Sequence, residues 1–260
     1  MKDYGLVSII TPSYNCARFI GSTIESIQAQ TYRNWELLVT DDCSDDRSVE
    51  VVKRYAAADP RIRLFSLPVN SGAGVARNNS IEKAQGRFIA FCDSDDRWYP
   101  EKLEKQLAFM REKDCGLSYT SYDVCDEDGV TVGRVKCREE LNYRNLIRDN
   151  GIGCLTAMYD VGKCGKKYMP TIRKRQDWGL WLNIVKQIKV AYGMPQCLAL
   201  YRTRRNSISS NKISMLKYNF DLYRSVEKFS TFKSASLLAF YFLPYYFYKK
   251  IKQKFDYKKQ

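Results

Sequence analysis

The first hundred residues alternate between short apolar runs and longer segments with helical periodicity. The apolar runs predict strands over residues 6–11, 35–40, 62–66 and 87–92. Between them, apolar side chains recur every three or four positions, which predicts helices over residues 18–30, 48–58 and 74–84. Strands that alternate with helices in this way indicate an α/β fold, with a mostly parallel central sheet flanked by helices.

The pattern is less regular between residues 98 and 210. Helices are predicted over residues 99–113, 143–149 and 176–187, and strands over residues 116–124, 154–159 and 196–201. Residues 126–135 are rich in turn-forming residues. No internal repeat or low-complexity linker interrupts this part, so we expect one continuous domain up to about residue 210.

The last fifty residues differ from the rest. A helix is predicted over residues 211–228, followed by the apolar and aromatic segment 237–247 and a lysine-rich run. Eleven apolar residues cannot span a bilayer, which needs about 20. Aromatic and lysine side chains together favour a helical, basic-aromatic tail over residues 211–260 that lies on an anionic membrane surface. The alternative is packing on the domain or on a second subunit, which leaves a homodimer open.

Composition narrows the chemistry. A hydrophobic content of 45% is enough for a sizeable core, and a net charge of +14 favours anionic partners. The chain has no histidine, which removes histidine-based catalysis and makes a zinc site improbable. Nine scattered cysteines without a C-x-x-C pair, and no secretory signal, favour a reducing cytosolic location.

Three polar loops follow predicted strands, at residues 12–15, 41–44 and 93–96. Ligands of open α/β sheets bind at the carboxyl ends of the strands, so we expect these loops to form a site. Asp93 and Asp95 could bind Mg²⁺ or Mn²⁺, since these ions take oxygen ligands. The alternative is a solvated loop whose aspartates cap the next helix.

Other candidates face similar alternatives. Tyr14 could stack on a base and Asn15 could fix its loop, while Asp42 could accept a hydrogen bond from a base or simply cap a helix. Arg77 lies one turn inside a helix that follows a glycine-rich loop, where it could reach a phosphate or lie on the surface. Asp177 begins a helix, where it could act as a general base or be an ordinary first-turn aspartate.

Arg202 and Arg204 follow directly after the last predicted strand, residues 196–201. Arginines suit a diphosphate, and the alternative is a basic surface loop.

In combination and order, these motifs resemble the family 2 glycosyltransferases with a GT-A fold. The resemblance covers about residues 5–210 and rests on residues 7–15, 41–46, 70–72, 76–78, 93–96, 176–177 and 201–202 with Ser207 and Ser209. Arg175-Gln176-Asp177 and residues 209–212 are similar to the TuaG-like branch, which builds bacterial surface polysaccharides.

The resemblance implies roles by position. Asp177 would be the catalytic base, Asp95 the direct metal ligand, and Asp93 a ligand of the metal or the ribose, with Mn²⁺ or Mg²⁺ as cofactor. The nucleotide-sugar would be bound by Thr11, Pro12, Tyr14, Asn15, Asp42, Arg77, Asp93, Ser94, Arg202 and Arg204. The family usually has glutamate at position 176 and often histidine at position 204.

It also implies an activity: inverting, non-processive transfer of a hexose from a UDP-sugar donor to an undecaprenyl-diphosphate-linked saccharide, in O-antigen, capsule or related polysaccharide synthesis. Residues 1–97 would be the nucleotide-sugar-binding half and residues 98–210 the acceptor-binding half. We expect a peripheral position on the cytoplasmic face of the bacterial inner membrane, with no nucleic acid bound. The motif and membrane helices of processive members are absent from the sequence.

Two other functions remain open on the residues alone. A nucleotidyltransferase shares the sheet and the metal carboxylates, although it normally has a glycine-rich basic loop where this chain has residues 12–15. A nucleic-acid-binding module suits the charge, although the expected sheet edge is acidic and the basic residues are concentrated late in the chain.

Overall fold

The computed structural model describes residues 2–204 and 212–244, and the side chains of the second segment from residue 216 onward. Ten strands lie in these residues: β1 (Val7–Ser13), β2 (Trp35–Asp41), β3 (Ile62–Ser66), β4 (Phe88–Phe91), β5 (Arg97–Trp98), β6 (Leu117–Cys125), β7 (Thr131–Val135), β8 (Glu140–Asn142), β9 (Met158–Asp160) and β10 (Val190–Arg202).

Nine α-helices accompany the strands in the described residues: α1 (Ile20–Gln28), α2 (Ser48–Ala58), α3 (Ala73–Lys83), α4 (Lys102–Glu112), α5 (Tyr143–Leu146), α6 (Val161–Cys164), α7 (Gln176–Ile188), α8 (Lys212–Asp221) and α9 (Thr231–Leu237). Cys154–Thr156 form a 3₁₀ turn, and Leu222–Val226 and Leu238–Phe242 form π-helical turns that extend α8 and α9.

The strands form one sheet in the order β3-β2-β1-β4-β9-β6-β10-β5, with β7 on β6 and β8 on β10. Strands β3, β2, β1 and β4 are parallel, as the alternation of strands and helices predicts. In the second half β6 and β10 are parallel, while β9 runs antiparallel to both β4 and β6. The predicted α/β class is confirmed, and the sheet is mixed beyond β4.

Both faces of the central strands are buried. Ile9 and Leu37 pack into a core cluster with residues of α1 and α4. Their neighbours Ile10 and Leu38 pack into a second cluster with residues of α3 and α7. Alternate side chains of a strand point to opposite faces, so continuous apolar runs are what a sheet covered on both sides requires. Each such side chain contributes about 1.5–3 kcal/mol by its burial.

Three local predictions differ from the structure. The sequence predicts turns over residues 131–135, but these residues form β7. The side chains of β7 are mostly exposed and show no alternation of apolar and polar residues, and the strand is held by its hydrogen bonds to β6. Residues 154–159 begin as a 3₁₀ turn, so only Met158–Asp160 pair as a strand. Strand β10 begins at Val190, and its irregular register around Pro195 explains why the pattern reveals only its second half.

The first part of the predicted tail packs on the domain. The Tyr223 hydroxyl donates to the carbonyl of Ile147 at 2.8 Å, and the Tyr223 ring packs edge-on against Trp178. The Lys186 ammonium lies 2.8 Å from the buried carboxylate of Glu227. These contacts attach the segment to α5 and α7. A domain boundary near residue 210 stays a prediction.

Several predicted features lie outside the described residues: Ser207, Ser209, residues 209–211, the end of the apolar segment beyond residue 244 and the lysine-rich run. Within the described part of the chain, no helix has both the length and the apolar character needed to cross a bilayer.

Candidate active site

Three polar loops meet at one edge of the sheet, beyond the carboxyl ends of β1, β2 and β4. Strand β1 pairs in parallel with both neighbours, with Ser13 opposite Asp41 and Ile10 opposite Phe91. This register brings together the three loops that sequence analysis singled out, at the edge where open α/β sheets bind ligands.

The loop after β1 is tied to the loop after β2. Asn15 has a φ of 46°, its backbone N–H donates to the Ser44 hydroxyl at 3.0 Å, and its Oδ1 accepts from the Asp45 N–H at 3.1 Å. These two hydrogen bonds fix the loop. They also hold Asn15 in the left-handed conformation, which is unfavourable for most residues unless the surrounding structure stabilises it. The preceding Tyr14 leaves 49% of its surface exposed, so its ring is available for stacking.

Asp42 is buried and links the second loop to the start of α3. Its two carboxylate oxygens accept the backbone N–H groups of Ser71 and Gly72, each at 2.7 Å. Gly72 has a φ of 90°, a conformation that side-chain-bearing residues rarely adopt. Each carboxylate oxygen can accept a second hydrogen bond, so Asp42 organises this edge and retains capacity for a ligand.

Thr11, Pro12 and Ser94 are buried at this edge of the sheet. The Thr11 hydroxyl has no hydrogen-bond partner among the described residues. The Ser94 carbonyl accepts from the Thr23 hydroxyl at 3.0 Å, which holds the acidic turn against α1.

Arg77 and Asp93 form a largely buried ion pair. The Arg77 Nη2 atom lies 2.6 Å from Asp93 Oδ1, and the Arg77 side chain is only 9% exposed. Burial lowers the pKa of Arg77, but the neighbouring Asp93, Cys154 and Asp177 outweigh it and raise the pKa overall. Arg77 is therefore a fixed cation between the acidic turn and the start of α7.

Asp95 and Asp96 crowd negative charge beside Asp93. Burial raises the pKa of Asp95, with Arg204 opposing and Asp93 adding to the effect. Burial together with the charges of Asp95 and Asp93 raises the pKa of Asp96 well above its usual range. The Oδ2 atom of Asp96 is buried and has no partner among the described residues. The raised pKa values therefore favour the protonated forms of Asp95 and Asp96 unless a further cation approaches the turn.

Asp93 and Asp95 provide oxygen donors of the kind that Mg²⁺ and Mn²⁺ prefer. Within the described residues, no group of three or more His, Cys, Asp and Glu side chains is arranged to hold a metal ion. One or two carboxylates are usual where substrate phosphates complete the coordination of Mg²⁺. The crowded carboxylates therefore fit a divalent ion that arrives with a phosphorylated ligand.

Arg202 and Arg204 reach the acidic turn in different ways. The Arg202 guanidinium donates to the carbonyls of Asp95 at 3.1 Å and Glu127 at 2.6 Å, so it is largely engaged with backbone. The Arg204 Nε atom lies 2.7 Å from Asp95 Oδ2 without the alignment of a hydrogen bond. Both guanidiniums pack within about 5 Å of the Phe19 ring centroid. Arg204 is therefore the more adaptable of the two cations.

Asp177 lies in the first turn of α7 and is half-buried. Its Oδ2 atom accepts the side-chain amide of Asn150 at 2.9 Å, and it interacts electrostatically with Arg77. The positive end of the helix dipole favours a carboxylate at this position. The structure thus brings Asp177 to the same cation as Asp93.

Gln176 has a structural role beside this carboxylate. Its Nε2 atom donates to the carbonyls of Ile172 at 2.8 Å and Arg173 at 3.2 Å. A side chain on Gly74 would approach the Gln176 amide within 2.8 Å, so α3 and α7 meet closely here. Arg175, with a φ of 67°, makes the sharp entry into α7. An ionised glutamate could not donate these two hydrogen bonds.

Sequence reasoning did not single out two asparagines that position the site. Asn150 holds Asp177, and Asn78 exchanges two hydrogen bonds with the backbone of Met169, at 2.7 and 2.9 Å. The second pair anchors the irregular segment that leads into α7. Asn78 lies within a quoted motif, whereas no local pattern marks Asn150.

Comparisons with known proteins identify the family of the chain. Residues 8–165 match the family described as Glycosyl transferase family 2. The chain is 44% identical over 230 residues to the putative teichuronic acid biosynthesis glycosyltransferase TuaG of Bacillus subtilis (strain 168), covering 88% of this chain and 91% of TuaG.

A second relative matches along almost the whole chain. It is the Escherichia coli UDP-Glc:alpha-D-GlcNAc-diphosphoundecaprenol beta-1,3-glucosyltransferase WfgD, which is 38% identical over an alignment of length 260 that covers 99% of this chain and 98% of WfgD.

Among solved structures, S. aureus TarS 1–349 in complex with UDP-GlcNAc superposes with a TM-score of 0.70 at 21% identity, over 90% of this chain and 70% of that one. This likeness confirms the GT-A fold expected from the sequence. The family match and the two relatives identify the activity class, in place of a nucleotidyltransferase or a nucleic-acid-binding module. The chain belongs to glycosyl transferase family 2 and is a glycosyltransferase.

Proposed function

We propose that this protein transfers a hexose from a UDP-sugar to a saccharide carried on undecaprenyl diphosphate, during synthesis of a bacterial surface polysaccharide. The observation that carries the proposal is the position of Arg77, which lies 2.6 Å from Asp93 and close enough to Asp177 for the charge of Asp177 to raise its pKa. One buried cation thus joins the proposed donor turn to the proposed base. The name of WfgD, which specifies UDP-Glc and a diphosphoundecaprenol acceptor, supports the substrate classes.

The donor would lie along the edge formed by the three loops. Tyr14 offers an exposed ring for the uracil base, Pro12 would contact the same base, and Asp42 would accept a hydrogen bond from the base N–H. Thr11 and Asn15 shape this pocket, as the buried hydroxyl and the anchored loop suggest. Asp93 and Ser94 lie further along the same edge, where ribose and diphosphate would follow.

Asp95, assisted by Asp93, would hold Mn²⁺ or Mg²⁺ together with the donor diphosphate. The ion would supply positive charge to the departing UDP. Arg204 approaches the same turn, and its guanidinium could turn from Asp95 toward the phosphates when the donor binds. Arg202 would act mainly by holding the backbone of the turn, since its guanidinium is bonded to carbonyls.

Asp177 would take the proton from the acceptor hydroxyl as the hydroxyl oxygen attacks the anomeric carbon. The new bond forms on the face opposite the departing UDP, so the configuration is inverted. Asn150 leaves the second carboxylate oxygen of Asp177 available for the acceptor. General base catalysis of this kind contributes about 10²–10⁴-fold to the rate. Release of the product after one transfer makes the enzyme non-processive.

The C-terminal segment would bring the enzyme to the cytoplasmic face of the inner membrane. Phe232 and Phe240 are 84% and 74% exposed. Lys233 follows Phe232 on α9, and Lys228 lies in the connection that precedes this helix. Exposed aromatics with neighbouring lysines suit the interface of an anionic membrane. The competing occupant of this surface is a second copy of the chain.

The decisive experiment is a panel of UDP-hexoses with a synthetic lipid-diphosphate-linked saccharide, scored for UDP release. We expect one donor to be used, and Asp95→Ala and Asp177→Ala to abolish transfer while the protein stays folded. Full turnover by Asp177→Ala would remove this residue as the base. Release of pyrophosphate instead of UDP would indicate nucleotidyl transfer.

Vesicle co-sedimentation of a chain truncated after Thr231 tests the membrane contact. Unchanged binding of the truncated chain to the vesicles would refute a role of the C-terminal segment in that contact.

A further inference from the structure

Two arginines lie against the two carboxylates that we assign to the metal ion. Arg77 Nη2 lies 2.6 Å from Asp93 Oδ1, and Arg204 Nε lies 2.7 Å from Asp95 Oδ2. Among the described residues, neither aspartate forms a second ion pair. Each proposed ligand of the metal ion is therefore already paired with a cation of the protein.

The two ion pairs differ in how firmly they hold. Arg77 donates an aligned hydrogen bond to Asp93, and its side chain is only 9% exposed. The side chain of Arg204 is 29% exposed, and its buried Nε atom has no hydrogen-bond partner among the described residues, despite the short distance to Asp95. An ion pair without an aligned hydrogen bond is weaker than one that has it. Arg204 is therefore the cation that a ligand can displace, whereas Arg77 stays in place.

A divalent ion and the Arg204 guanidinium cannot share Asp95 without strong repulsion. A ligand oxygen lies about 2.1 Å from Mg²⁺. An ion bound to Asp95 Oδ2 would therefore lie within about 5 Å of Arg204 Nε, which is 2.7 Å from the same oxygen. Even with the screening that is typical of a protein surface, like charges at this distance repel each other by several times the thermal energy. An ion that uses this oxygen therefore has to displace the guanidinium.

The Phe19 ring provides a surface along which Arg204 can turn. The Arg204 guanidinium packs 4.7 Å from the centroid of this ring. Arg202 packs against the same ring at 5.0 Å, but its Nε and Nη1 atoms donate to the carbonyls of Asp95 and Glu127. Guanidinium groups bind phosphate oxygens through paired hydrogen bonds. Of the two arginines, Arg204 is thus the one that can exchange a carboxylate for a phosphate.

We propose that Arg204 competes with the divalent ion for Asp95, so that the ion binds tightly only when the donor diphosphate draws the guanidinium away. The inference rests on the proposed function, which places the diphosphate at this edge. Arg204 neutralises Asp95 in the free enzyme. When the donor binds, the guanidinium turns to the phosphate oxygens and leaves the carboxylate to the ion that arrives with the diphosphate. Arg204 thereby couples binding of the ion to binding of the nucleotide.

The test measures binding of Mn²⁺ and of UDP to the full chain separately, without turnover. The electron paramagnetic resonance signal of free Mn²⁺ gives the Kd for the ion, and calorimetry with a chelator gives the Kd for UDP alone. We expect Arg204→Gln to lower the Kd for Mn²⁺ alone roughly tenfold, since the competing charge is gone. The same variant should raise the Kd for UDP alone roughly tenfold, since a charge-assisted hydrogen bond to phosphate is lost. A purely structural role would not shift the two constants in opposite directions.

Two further variants serve as controls. Arg204→Lys keeps the positive charge, so its Kd for Mn²⁺ alone should stay close to the wild-type value. Arg18→Gln removes a charge that packs against the same ring, because the Arg18 guanidinium lies 5.2 Å from the centroid of Phe19, but Arg18 pairs with Asp128. Its Kd values for Mn²⁺ and for UDP should equal those of the wild-type protein.

An unchanged or higher Kd of Arg204→Gln for Mn²⁺ alone would overturn the proposal. So would an equal decrease in this Kd in Arg18→Gln, because the effect would then follow the net charge of the region. Failure of the proposed function has different signatures. If the wild-type protein binds no Mn²⁺ even with saturating UDP, the metal assignment fails together with this proposal. If the constants shift as expected but no UDP-hexose releases UDP with any lipid-linked saccharide, the competition at Asp95 stands and the proposed reaction is wrong.

Discussion

The side-chain amide of Asn150 donates a hydrogen bond to Oδ2 of Asp177 across 2.9 Å, and this bond joins two segments that are 27 residues apart. The amide fixes one oxygen of the carboxylate, so the other oxygen has a defined direction. A base must lie within hydrogen-bonding reach of the proton it removes, and small displacements of such a group lower the rate strongly. Asn150 is accordingly a positioning residue for the proposed base.

Replacing Asn150 by alanine should lower kcat by about tenfold, because the carboxylate loses its orientation while the donor edge is untouched. The KM for the UDP-sugar should change little. Steady-state kinetics with the donor and the acceptor varied separately measures both values. Asn34→Ala is a matched control, since the Asn34 amide bonds the Asp3 carboxylate far from the site. If Asn150→Ala keeps full kcat, Asp177 does not need this amide.

Asp95→Asn should remove the dependence of UDP binding on Mn²⁺ or Mg²⁺. An amide has nearly the shape of the carboxylate but lacks its charge, so the proposed ion loses a principal ligand. Calorimetric titration of UDP with Mn²⁺ and with a chelator gives two Kd values for each protein. The wild-type values should differ and those of Asp95→Asn should coincide. Undiminished Mn²⁺ dependence in the variant would place the ion elsewhere.

Gln176→Glu restores the residue that the family usually has, and we expect it to destabilise this chain. The Gln176 amide donates to two backbone carbonyls, and a carboxylate in its place would face those carbonyl oxygens beside Asp177. The bond to the Ile172 carbonyl is partly buried, and leaving a buried acceptor without a donor costs about 1–3 kcal/mol in the free energy of unfolding, whereas water can replace the exposed bond to the Arg173 carbonyl. Urea denaturation measures this difference.

The control for that experiment is Gln187→Glu on the same helix. The Gln187 amide also donates to a backbone carbonyl, at 2.9 Å, but in an exposed position where water can replace the bond. Its loss should change stability by less than about 0.5 kcal/mol. If the two substitutions change the free energy of unfolding equally, the amide at position 176 is no more important for stability than an exposed amide.

The parts of the site that sequence analysis predicted are those encoded locally. Asp42 and Asp93 follow buried parallel strands, which are continuous apolar runs that any reader of the sequence can locate. The alternation of Ile9 and Ile10 between the two core clusters follows from the same geometry. These features need only the strand period and the rule that parallel strands end at a common edge.

The parts that were missed depend on long-range contacts. Asn150 is adjacent to Asp177 only because α5 and α7 pack together, and Asn78 reaches Met169 across 91 residues of sequence. The exposed strand β7 has no apolar alternation because its side chains face solvent, and its hydrogen bonds to β6 leave no trace in composition. The sequence pattern indicates which residues are buried and where the chain turns. It does not indicate which distant residues form hydrogen bonds with one another.

Lys102 gives the protein a pH dependence unrelated to catalysis. Its ammonium is fully buried in α4, bonded to Gln106 at 2.7 Å and 4.1 Å from the Trp98 ring centroid. Burial lowers the pKa of Lys102 to about 7. The unfolded chain retains the usual lysine value near 10.4, so between these pH values the unfolded state binds more protons. The Lys102 contribution to the free energy of unfolding therefore rises with pH across this window and is constant below it.

Replacing Lys102 by methionine should remove this slope. Between pH 7 and pH 9 the wild-type stability should gain about 2 kcal/mol relative to Lys102→Met, since each pH unit corresponds to about 1.4 kcal/mol per proton. Urea denaturation of both proteins at the two pH values gives the difference and cancels the other titrating groups. Lys105→Met, on the same helix but partly exposed beside Glu101, should follow the wild-type curve. If the free energy of unfolding has the same pH dependence in Lys102→Met and in the wild-type protein, Lys102 stays charged in the folded state. Water or a local rearrangement would then solvate its ammonium.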